Sequence, residues 1–545
     1  MKKQGIVFLA IMFCVIMFFA SCNSAPKTCS HKFSEWTILT EPTCSFQGKK
    51  VRNCSLCEKK EFERIDLLPH TEIVDKDAKA PTCTLPGTSE RISCSVCGLI
   101  IKDMEILDAT GHDFDIKNAV TATLLTGGLE YRNCKVCGHK EKGQSEKLRP
   151  EQIDIPVFYI SGDTKGISKT REKSVSVNFK YKTNEINAYA LIKWQGNSSA
   201  RFDKKNYTVK LFEDEAHTDK KKVDFGWGKE NKYCLKANYV DYSQSRNIVS
   251  CRIFSDIVAT RKNIDPNLKR APNYGIVDGF PILVYINDAF QGLYTLNIPK
   301  DRWLYGMKND ESLRQAVLCA DQSSDKTRLK ETMTVNDYEW DVEHCSTSDN
   351  AWVAESFNNL INFINTKDGE EFRQGIGNYV DVESAIDTLI YTYTLNALDN
   401  LAKNINYVTY DGKKWIVTPY DLDATWGMWW DGTKFEEAGS VLPTRKKDGS
   451  FSGTRGLNQL YLKLLYYFPD EIKDRYKELR SSVLTYNNII NEFLAFNESI
   501  PKEARESEKV CWQEIPSNDI DHFVQINDFV LRQLSVLDEF MRDTL

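Results

Sequence analysis

The sequence lacks an excess of positive charge. Its 545 residues include 71 Lys and Arg against 77 Asp and Glu, which leaves a formal net charge of −6. Because nucleic-acid-binding domains usually carry a basic face, this balance argues against nucleic acid as a partner. A hydrophobic content of 41% with 27% charged residues is typical of globular domains, and the length predicts roughly two to four of them.

Long apolar runs are also scarce. The one long run covers residues 6–20, follows two lysines and is followed by Ser21-Cys22. At about 15 residues it is short for a membrane span but suits the core of a signal peptide. Its end, Phe-Ala-Ser-Cys, resembles a bacterial lipobox, which predicts a lipoprotein signal over residues 1–21, acylation of Cys22 and a membrane-anchored, extracytoplasmic protein. An ordinary signal peptide or an uncleaved anchor is the alternative.

Cysteine is sparse beyond about residue 153 and concentrated before it. Three Cys-x-x-Cys pairs, which begin at Cys54, Cys94 and Cys134, recur every 40 residues. A period of this length is typical of a small repeated module, and we assign residues 22–148 to such modules. Short modules bury too little apolar surface to fold alone, so they need a metal or disulfide staple.

The first two modules each contain three Cys and one His, the ligand set of a tetrahedral zinc site. The predicted ligands are Cys44, Cys54, Cys57 and His70 in the first module, and Cys83, Cys94, Cys97 and His112 in the second. In the third module Ala122 stands where the first Cys is expected. Disulfides are the alternative outside the cytoplasm, although the two-residue spacing favours metal. The modules resemble short Cys-rich repeats of bacterial surface proteins, which implies a spacer or binding stalk.

From residue 150 onwards the pattern changes to strands followed by helices, which predicts an α+β domain over residues 150–545. Apolar patterning indicates strands at 157–160, 175–178, 188–194 and 204–211, and two more within 280–298. Helical periodicity indicates a helix over 381–398 and an amphipathic helical C-terminal tail. Asp241 is expected to cap another helix that runs towards Thr260, and to pair with Arg246 in a structural role.

Residues 195–199, Gln-Gly-Asn-Ser-Ser, form a turn of small residues before a strand that contains lysines. Such a turn is suited to cradle phosphates, with Asn197 and Ser198 in the cradle and the ammonium group of Lys205 or Lys210 against the phosphate charge. A plain hairpin with exposed lysines is the alternative.

Residues 399–427 are the most informative stretch. Asp399 is followed by Asn404, then by a predicted hairpin with a two-residue Asp-Gly turn, and then by Asp421 and Asp423. Protein kinases use this order, in which the first Asp orients the acceptor hydroxyl while the Asn and the later Asp hold magnesium on the nucleotide phosphates. Asp and Asn oxygens suit hard cations such as Mg²⁺ or Mn²⁺. Turn residues without a catalytic role are the alternative.

Five segments, taken in order, resemble the CotH kinase family, the spore-coat protein H type of secreted atypical protein kinases. They are WQGNSSARFDKKNYTVKLF, LKANYVDYSQSRN, FPILVYINDAFQGLYTLN, DNLAKNINYVTYDGKKW and PYDLDATWG. The resemblance implies a two-lobed, atypical kinase-like fold whose C-terminal part is helical. It also implies use of ATP with Mg²⁺ or Mn²⁺, and phosphorylation of Ser or Thr on secreted or surface proteins.

The resemblance also implies roles for individual residues. Asp399 corresponds to the catalytic Asp, and Lys205 or Lys210 to the phosphate-contacting Lys. The implied metal ligands are Asn404, with Asn406 as the competing choice, and Asp421, with Asp423 beside it in the same motif.

The sequence departs from the family at two places. Gln195 stands where the family commonly has Arg, and Asn297 and Ile298 occupy the place of a frequent acidic residue. An inactive kinase fold that acts as a surface-binding or scaffold protein is therefore the alternative function. A polysaccharide-associated module is a third possibility, with stacking on sugar rings by Trp426, Trp429 and Trp430.

Overall fold

The structure is a computed structural model that describes residues 30–44, 47–95, 100–113, 120–196, 198–453 and 456–545. The predicted signal peptide, Cys22, Cys97 and Asn197 lie outside these ranges. Within the described ranges, no helix is long and apolar enough to cross a membrane. The chain divides into two compact units, Met1–Thr110 and Gly111–Leu545.

The first unit consists of short antiparallel strands. They are β1 (Thr37–Thr40), β2 (Gly48–Asn53), β3 (Lys60–Ile65), β4 (Glu72–Lys76), β5 (Gly87–Thr88), β6 (Arg91–Cys94), β7 (Ile100–Lys102) and β8 (Ile106–Leu107). The strands form the sheets β1-β2-β3, β4-β6-β7 and β5-β8. Among the described residues of this unit, the buried hydrophobic side chains are those of four cysteines and Val51. So small an apolar core agrees with the need for a covalent or metal staple.

The third module lies in the second unit and includes the hairpin of β9 (Gly128–Asn133) and β10 (Lys140–Ser145). In every module one Gly packs tightly against the residue six positions before it: Gly48 against Pro42, Gly87 against Pro81 and Gly128 against Ala122. This equivalence corrects the predicted alignment, because Ala122 takes the place of the Pro, and Leu124 that of the first Cys. Leu124 is buried in the main core of this unit, and its amide donates to Ser507 Oγ at 2.9 Å.

Seven strands of the second unit form a closed barrel, and a small hairpin lies between two of them in the chain. The strands are β11 (Val157–Ser161), β12 (Lys173–Tyr181), β13 (Asn184–Gln195), β14 (Asn206–Phe212), the hairpin β15 (Val223–Asp224) and β16 (Lys229–Glu230), β17 (Lys232–Lys236), β18 (Gly279–Ile286) and β19 (Ala289–Asn297). The barrel order is β11-β12-β13-β14-β17-β19-β18. Closure comes from the parallel pairing of β11 with β18. All the strands predicted between residues 157 and 298 are confirmed.

The rest of the second unit is mainly helical and contains one four-stranded sheet, in the order β21-β20-β22-β23. The remaining strands are β20 (Ala316–Ala320), β21 (Trp340–Cys345), β22 (Ile405–Thr409), β23 (Ile416–Pro419), β24 (Thr444–Arg445) and β25 (Phe451–Ser452). The helices are α1 (Arg246–Ala259), α2 (Pro266–Arg270), α3 (Ala351–Thr366), α4 (Gly369–Gly375), α5 (Val382–Leu395), α6 (Gln459–Tyr467), α7 (Pro469–Arg480), α8 (Tyr486–Glu498), α9 (Lys502–Cys511) and α10 (His522–Glu539). The prediction of an α+β domain with a helical C-terminal part is confirmed.

Helix α5 is buried along nearly its whole length. The Asp381 carboxylate caps its start by accepting the amide of Ser384 at 2.8 Å. Asn396 ends the helix in the left-handed region, at φ 53°, as Asn does at many helix C-termini. The chain then turns directly into Asp399, so α5 positions this carboxylate from the core.

The hairpin β22–β23 exists, but its connection is longer than the predicted two-residue Asp-Gly turn. The last paired residues are Val408 and Ile416. Trp415 is fully buried and exchanges backbone hydrogen bonds of 2.8 Å with Tyr379 and Asp381 instead. Burial of the indole therefore draws this residue away from β22 and lengthens the loop.

Candidate active site

A cavity of about 1050 Å³ is lined by the end of the barrel and by the loops that follow α5 and β23. Its volume is at the upper end of the range typical of small-molecule sites. Four residues of the predicted kinase pattern line it: Asp399, Asn404, Asp421 and Asp423. The tertiary structure therefore brings together side chains from two separate loops.

Asp399 opens a short 3₁₀ turn, Asp399–Leu401. Its Oδ2 accepts a hydrogen bond from Lys403 Nζ at 2.7 Å. Burial lowers the pKa of Lys403, but the charges of Asp399, Asp421 and Asp423 outweigh burial and raise it. Lys403 is therefore a stable cation that holds the Asp399 carboxylate in place.

Asn404 joins the loop after α5, which carries Asp399, to the loop after β23, which carries Asp421 and Asp423. These are the two acidic loops of the cavity. It has a left-handed backbone, φ 54°, and its side-chain amide donates to the Asp421 carbonyl at 3.4 Å. Its own carbonyl accepts the Tyr420 amide at 2.8 Å. Asn406, the competing choice from the sequence, is buried and donates to the Tyr305 hydroxyl at 2.8 Å. Of the two amides, Asn404 is the one that lines the cavity.

The loop that carries Asp421 and Asp423 is anchored through the residue between them. Leu422 is fully buried, and its amide donates to Asn247 Oδ1 at 2.9 Å. Burial, followed by the charge of Asp421, raises the pKa of Asp423 above the usual carboxyl range, and Lys236 opposes this shift only in part. Burial and the neighbouring Asp421 carboxylate therefore make a second negative charge at Asp423 costly.

The start of α1 supports the same loop. The predicted pair of Asp241 with Arg246 is confirmed at 2.5 Å, and Arg246 Nε donates to the Thr425 carbonyl at 3.2 Å. The helix begins at Arg246, later than predicted, because residues 241–245 form a turn in which Gln244 has a φ of 64°. The Asp241 carboxylate still accepts the Arg246 amide at 2.9 Å.

Sequence reasoning missed Lys236, at the end of β17. Its Nζ lies 3.9 Å from Asp421 Oδ1. Burial lowers the pKa of Lys236, but Tyr420, Asp421 and Asp423 together raise it above the ordinary value. The signal was present in the segment LKANYVD, where this Lys ends a strand shortly before the Asp241–Arg246 pair.

The two lysines predicted to contact phosphate have other partners. Lys205 donates to the carbonyls of Ala200, at 3.0 Å, and Phe202, and it is not among the residues that line the cavity. Lys210 lines the cavity, but its Nζ pairs with Glu172 at 2.7 Å. Lys236, in contrast to Lys205 and Lys210, lies within 4 Å of a carboxylate of the kinase pattern, at 3.9 Å from Asp421.

Lys204, directly before Lys205, is completely buried. Its ammonium group donates to the carbonyls of Ala237 at 2.8 Å and Leu293 at 2.5 Å, and to Glu508 Oε1 at 2.5 Å. Since an ammonium group has three donors, Lys204 has none left for a ligand. Its role is structural, and it joins the barrel to α9.

The small-residue turn lies at the cavity wall. Gly196 has a φ of 94°, and a Cβ there would lie 2.0 Å from Ser199 Oγ, so only Gly fits. Asn197 lies outside the described residues, and Ser198 begins a 3₁₀ helix, Ser198–Arg201. Gln195 lines the cavity, and its Oε1 has no hydrogen-bond partner in the described part of the chain.

The other departures from the family pattern lie in the core. Asn297 and Ile298 are buried and are not among the residues that line the cavity. The three clustered tryptophans do not form one platform. Trp426 is buried. The Nζ atom of Lys434 lies 3.9 Å from the centre of the Trp429 ring. Trp430 is 54% exposed and lines the cavity.

The oxygen donors of the cavity fit a hard divalent cation. Asp421, Asp423 and Asn404 offer carboxylate and amide oxygens, and burial together with the charge of Asp421 raises the pKa of Asp423. Within the described ranges, no three acidic side chains have their carboxylate oxygens close enough together to surround a metal ion by themselves. This openness suits Mg²⁺, which takes one or two carboxylates and completes its shell with phosphate and water.

The Cys and His residues of the modules form groups that differ from the prediction. The described groups are His31 with Cys54 and Cys57, Cys44 with His70 and Cys94, and, in the second unit, His112 with Cys134 and Cys137. The assignment of one ligand set to each module is therefore wrong, because Cys54 and Cys57 do not join Cys44 and His70. Cys83 is buried in the first unit.

Comparison with known families supplies the last observation. The family described as CotH kinase protein matches residues 192–537, more than half of the chain. This range includes every described residue of the acidic loops, the small-residue turn and Lys236. A comparison with curated proteins finds no match.

Proposed function

The chain belongs to the CotH kinase family, and on this premise we propose that it transfers the γ-phosphoryl group of ATP to Ser or Thr hydroxyls of secreted or surface proteins. The observation that carries the proposal is the convergence of Asp399, Asn404, Asp421 and Lys236 on one cavity of about 1050 Å³. Each of these side chains is of the type that phosphoryl transfer requires.

The two acidic loops have separate roles in this proposal. Asp421, with Asn404 and Asp423 beside it, holds Mg²⁺ or Mn²⁺, which when bound neutralises phosphate charge. Asp399 orients the acceptor hydroxyl and takes its proton as the hydroxyl oxygen bonds to the γ-phosphorus and the bond to ADP breaks. Lys403, at 2.7 Å, keeps the Asp399 carboxylate oriented.

The basic side of the cavity receives the polyphosphate. Lys236 lies next to the metal-binding loop, and Lys300 lies 4.7 Å from the centre of the Tyr420 ring and 3.5 Å from Glu343. Both are positive in the free protein despite burial, because Tyr420 and Asp421 raise the pKa of Lys236, and Cys319 and Tyr420 raise the pKa of Lys300, above the ordinary value. Their charge complements a nucleoside triphosphate.

The signal-like residues 1–22 and the Cys-rich modules bear on where in the cell the protein is located. Acylation of Cys22 would tether the chain to the membrane on its extracytoplasmic side, and the Cys-rich modules would hold the kinase domain away from the lipid surface. The lipobox-like Phe-Ala-Ser-Cys and the 40-residue repeat support this arrangement.

The decisive test is incubation of the purified chain with γ-labelled ATP and Mg²⁺ or Mn²⁺, with autophosphorylation and transfer to added proteins as readouts. We expect label on Ser or Thr, and none after removal of the divalent metal. The exposed Asp448→Asn variant is a matched control that should keep full activity. ATP binding without transfer would favour an inactive kinase fold acting as a scaffold, whereas absence of ATP binding would contradict the proposed kinase activity.

A further inference from the structure

The first unit contains a group of soft metal ligands that belongs to two different modules. Cys44 and His70 come from the first module, and Cys94 begins the Cys pair of the second. Their ligand atoms all lie within 4.8 Å of one another. The two thiols are 2% and 1% exposed, and their sulfur atoms are 2.9 Å apart.

Backbone pairing builds this group. The Leu68 amide donates to the Thr43 carbonyl at 3.0 Å, which brings the chain before His70 alongside Cys44. The Ser95 amide donates to the Thr71 carbonyl at 2.8 Å, and Cys94 is in register with Glu72 across β4 and β6. The sheet that follows His70 therefore carries Cys94 to the first module.

The same pairing occurs in the other two groups. In each, the residue after the His accepts a backbone hydrogen bond from the residue after the first Cys of a pair. The bonds are Ser55 to Lys32 at 2.9 Å and, in the second unit, Lys135 to Asp113 at 2.9 Å. The His then lies against the pair, with Cys57 Sγ 3.3 Å from His31 Nδ1 and Cys137 Sγ 3.2 Å from His112 Nδ1. Because the same backbone hydrogen bond and the same contact between His and Cys occur at equivalent positions, this arrangement of ligands is a property of the module.

The donor chemistry selects the ion. Thiolate sulfur and imidazole nitrogen are the ligands of structural Zn²⁺ sites and are poor ligands for Mg²⁺ or Ca²⁺. If both buried sulfurs bind as thiolates, a cation must lie beside them to offset their charge. The unit has almost no other means of stabilisation, because Val51 is its one buried hydrophobic residue besides Cys in the described ranges.

We propose that the first two modules are joined by a zinc ion that is shared between them. This Zn²⁺ is bound by Cys44 and His70 of the first module together with Cys94 of the second, and another Zn²⁺ is bound within the first module by His31 with Cys54 and Cys57. The shared ion fixes the register of the first module against the second. The inference is independent of the proposed kinase activity.

Zinc content of paired variants separates this arrangement from one ion per module. The full chain, purified without chelator, is analysed for zinc per mole of protein. The variant with both Cys44→Ser and Cys94→Ser should lose one equivalent relative to wild type, because both residues serve one ion. The variant with both Cys44→Ser and Cys54→Ser should lose two. The reverse pattern, or a wild-type chain without zinc and with Cys44 and Cys94 in disulfides, would overturn the proposal.

Alkylation of individual cysteines keeps the proposal testable if a double variant loses its fold. Under native conditions, Cys44→Ser should expose Cys94 to a thiol reagent, as read by mass spectrometry, while Cys54 and Cys57 stay protected. Labelling of Cys54 or Cys57 in that variant overturns the shared assignment. Cys345→Ser, far along the chain in the second unit, is the matched control and should change neither zinc content nor protection.

Discussion

Asp399 and Asp421 are carboxylates of one cavity with different surroundings. Asp399 pairs with Lys403 at 2.7 Å, whereas Asp421 lies 3.9 Å from Lys236 on a left-handed backbone at φ 52°. A residue that holds metal on phosphate acts in both the ground state and the transition state, but a residue that takes the hydroxyl proton acts on the acceptor alone. The two carboxylates should therefore be separable by mutation.

We predict that Asp421→Asn abolishes phosphotransfer and weakens metal-dependent nucleotide binding, while Asp399→Asn abolishes phosphotransfer and leaves nucleotide binding largely intact. Loss of a catalytic base typically costs about 10²–10⁴-fold in rate. Transfer rates and calorimetric nucleotide affinities, measured with Mn²⁺, distinguish the two. Melting curves must first show that both variants are folded, which is expected because Asn tolerates a left-handed backbone. Equal activity in the wild type and both variants would place the chemistry elsewhere.

Lys236 and Lys205 are a second pair of residues whose roles can be distinguished by mutation. Lys236→Met should lower kcat/KM for ATP by about 10²–10³-fold, since it removes a preorganised charge beside the phosphates. Lys205→Met should change it little, because Lys205 does not line the cavity and donates to backbone carbonyls. Steady-state kinetics on the two variants decide the matter. A larger loss for Lys205 would restore the assignment made from sequence.

Asp423 should make the stabilisation of the fold by a divalent cation depend on pH. Its pKa is raised in the folded chain, so stability falls as pH rises from the unfolded carboxyl pKa towards the folded value. A divalent cation that replaces the proton removes this penalty. We therefore predict that Mn²⁺ raises Tm more at alkaline than at mildly acidic pH, and that Asp423→Asn flattens the difference. Thermal melts across pH with and without Mn²⁺ measure it, and a pH-independent shift would contradict it.

At the scale of elements, the C-terminal tail is joined to the barrel by one buried ion pair. Lys204 precedes β14, Leu293 lies in β19 and Glu508 lies in α9, and they share hydrogen bonds of 2.5–2.7 Å. The pair is buried on both sides, with 0% and 1% of the side chains exposed. A charge left alone there has no water to solvate it.

We predict that Glu508→Leu destabilises the fold by about 3–5 kcal/mol, because it leaves the Lys204 charge unpaired. The double variant with Lys204→Met as well should recover much of that loss, since neither charge then remains. Urea unfolding followed by circular dichroism provides the free energies. The exposed pair Lys367–Glu371 is a matched control, and Glu371→Leu should have a much smaller effect because solvent screens this pair. Failure of the double variant to recover stability would indicate a packing role instead.

At the scale of the whole molecule, the third module differs from the other two. Its Leu124 stands where the other modules have a Cys, and it packs into the main core of the second unit with a hydrogen bond of 2.9 Å to Ser507. The third module therefore has apolar burial at the position of a proposed zinc ligand. This part of the repeat region is structurally continuous with the domain that contains the cavity.

The proposed anchor is tested on the intact chain in cells. Cys22→Ser should move the protein from the membrane fraction to the soluble extracytoplasmic fraction, because it removes the acylated residue while leaving the signal's apolar run unchanged. Fractionation and immunoblotting measure the distribution. Ser21→Ala is the matched control and should remain with the membrane. A Cys22→Ser protein that stays membrane-bound with its signal removed would refute acylation at this residue.

The sequence alone determined six of the seven barrel strands (β17 was not predicted), helix α5, the helical tail, the family and the acidic pattern of Asp399, Asn404 and Asp421. These features depend on local periodicity, capping and short-range spacing, which are present in the order of residues. Only the tertiary structure decided that Lys236 lies against Asp421 while Lys204 and Lys205 bind carbonyls, and that Cys44 and His70 meet Cys94. In those cases neighbouring or repeated residues of the same type compete, and the partner of each is chosen by strand register and burial between segments distant in the chain.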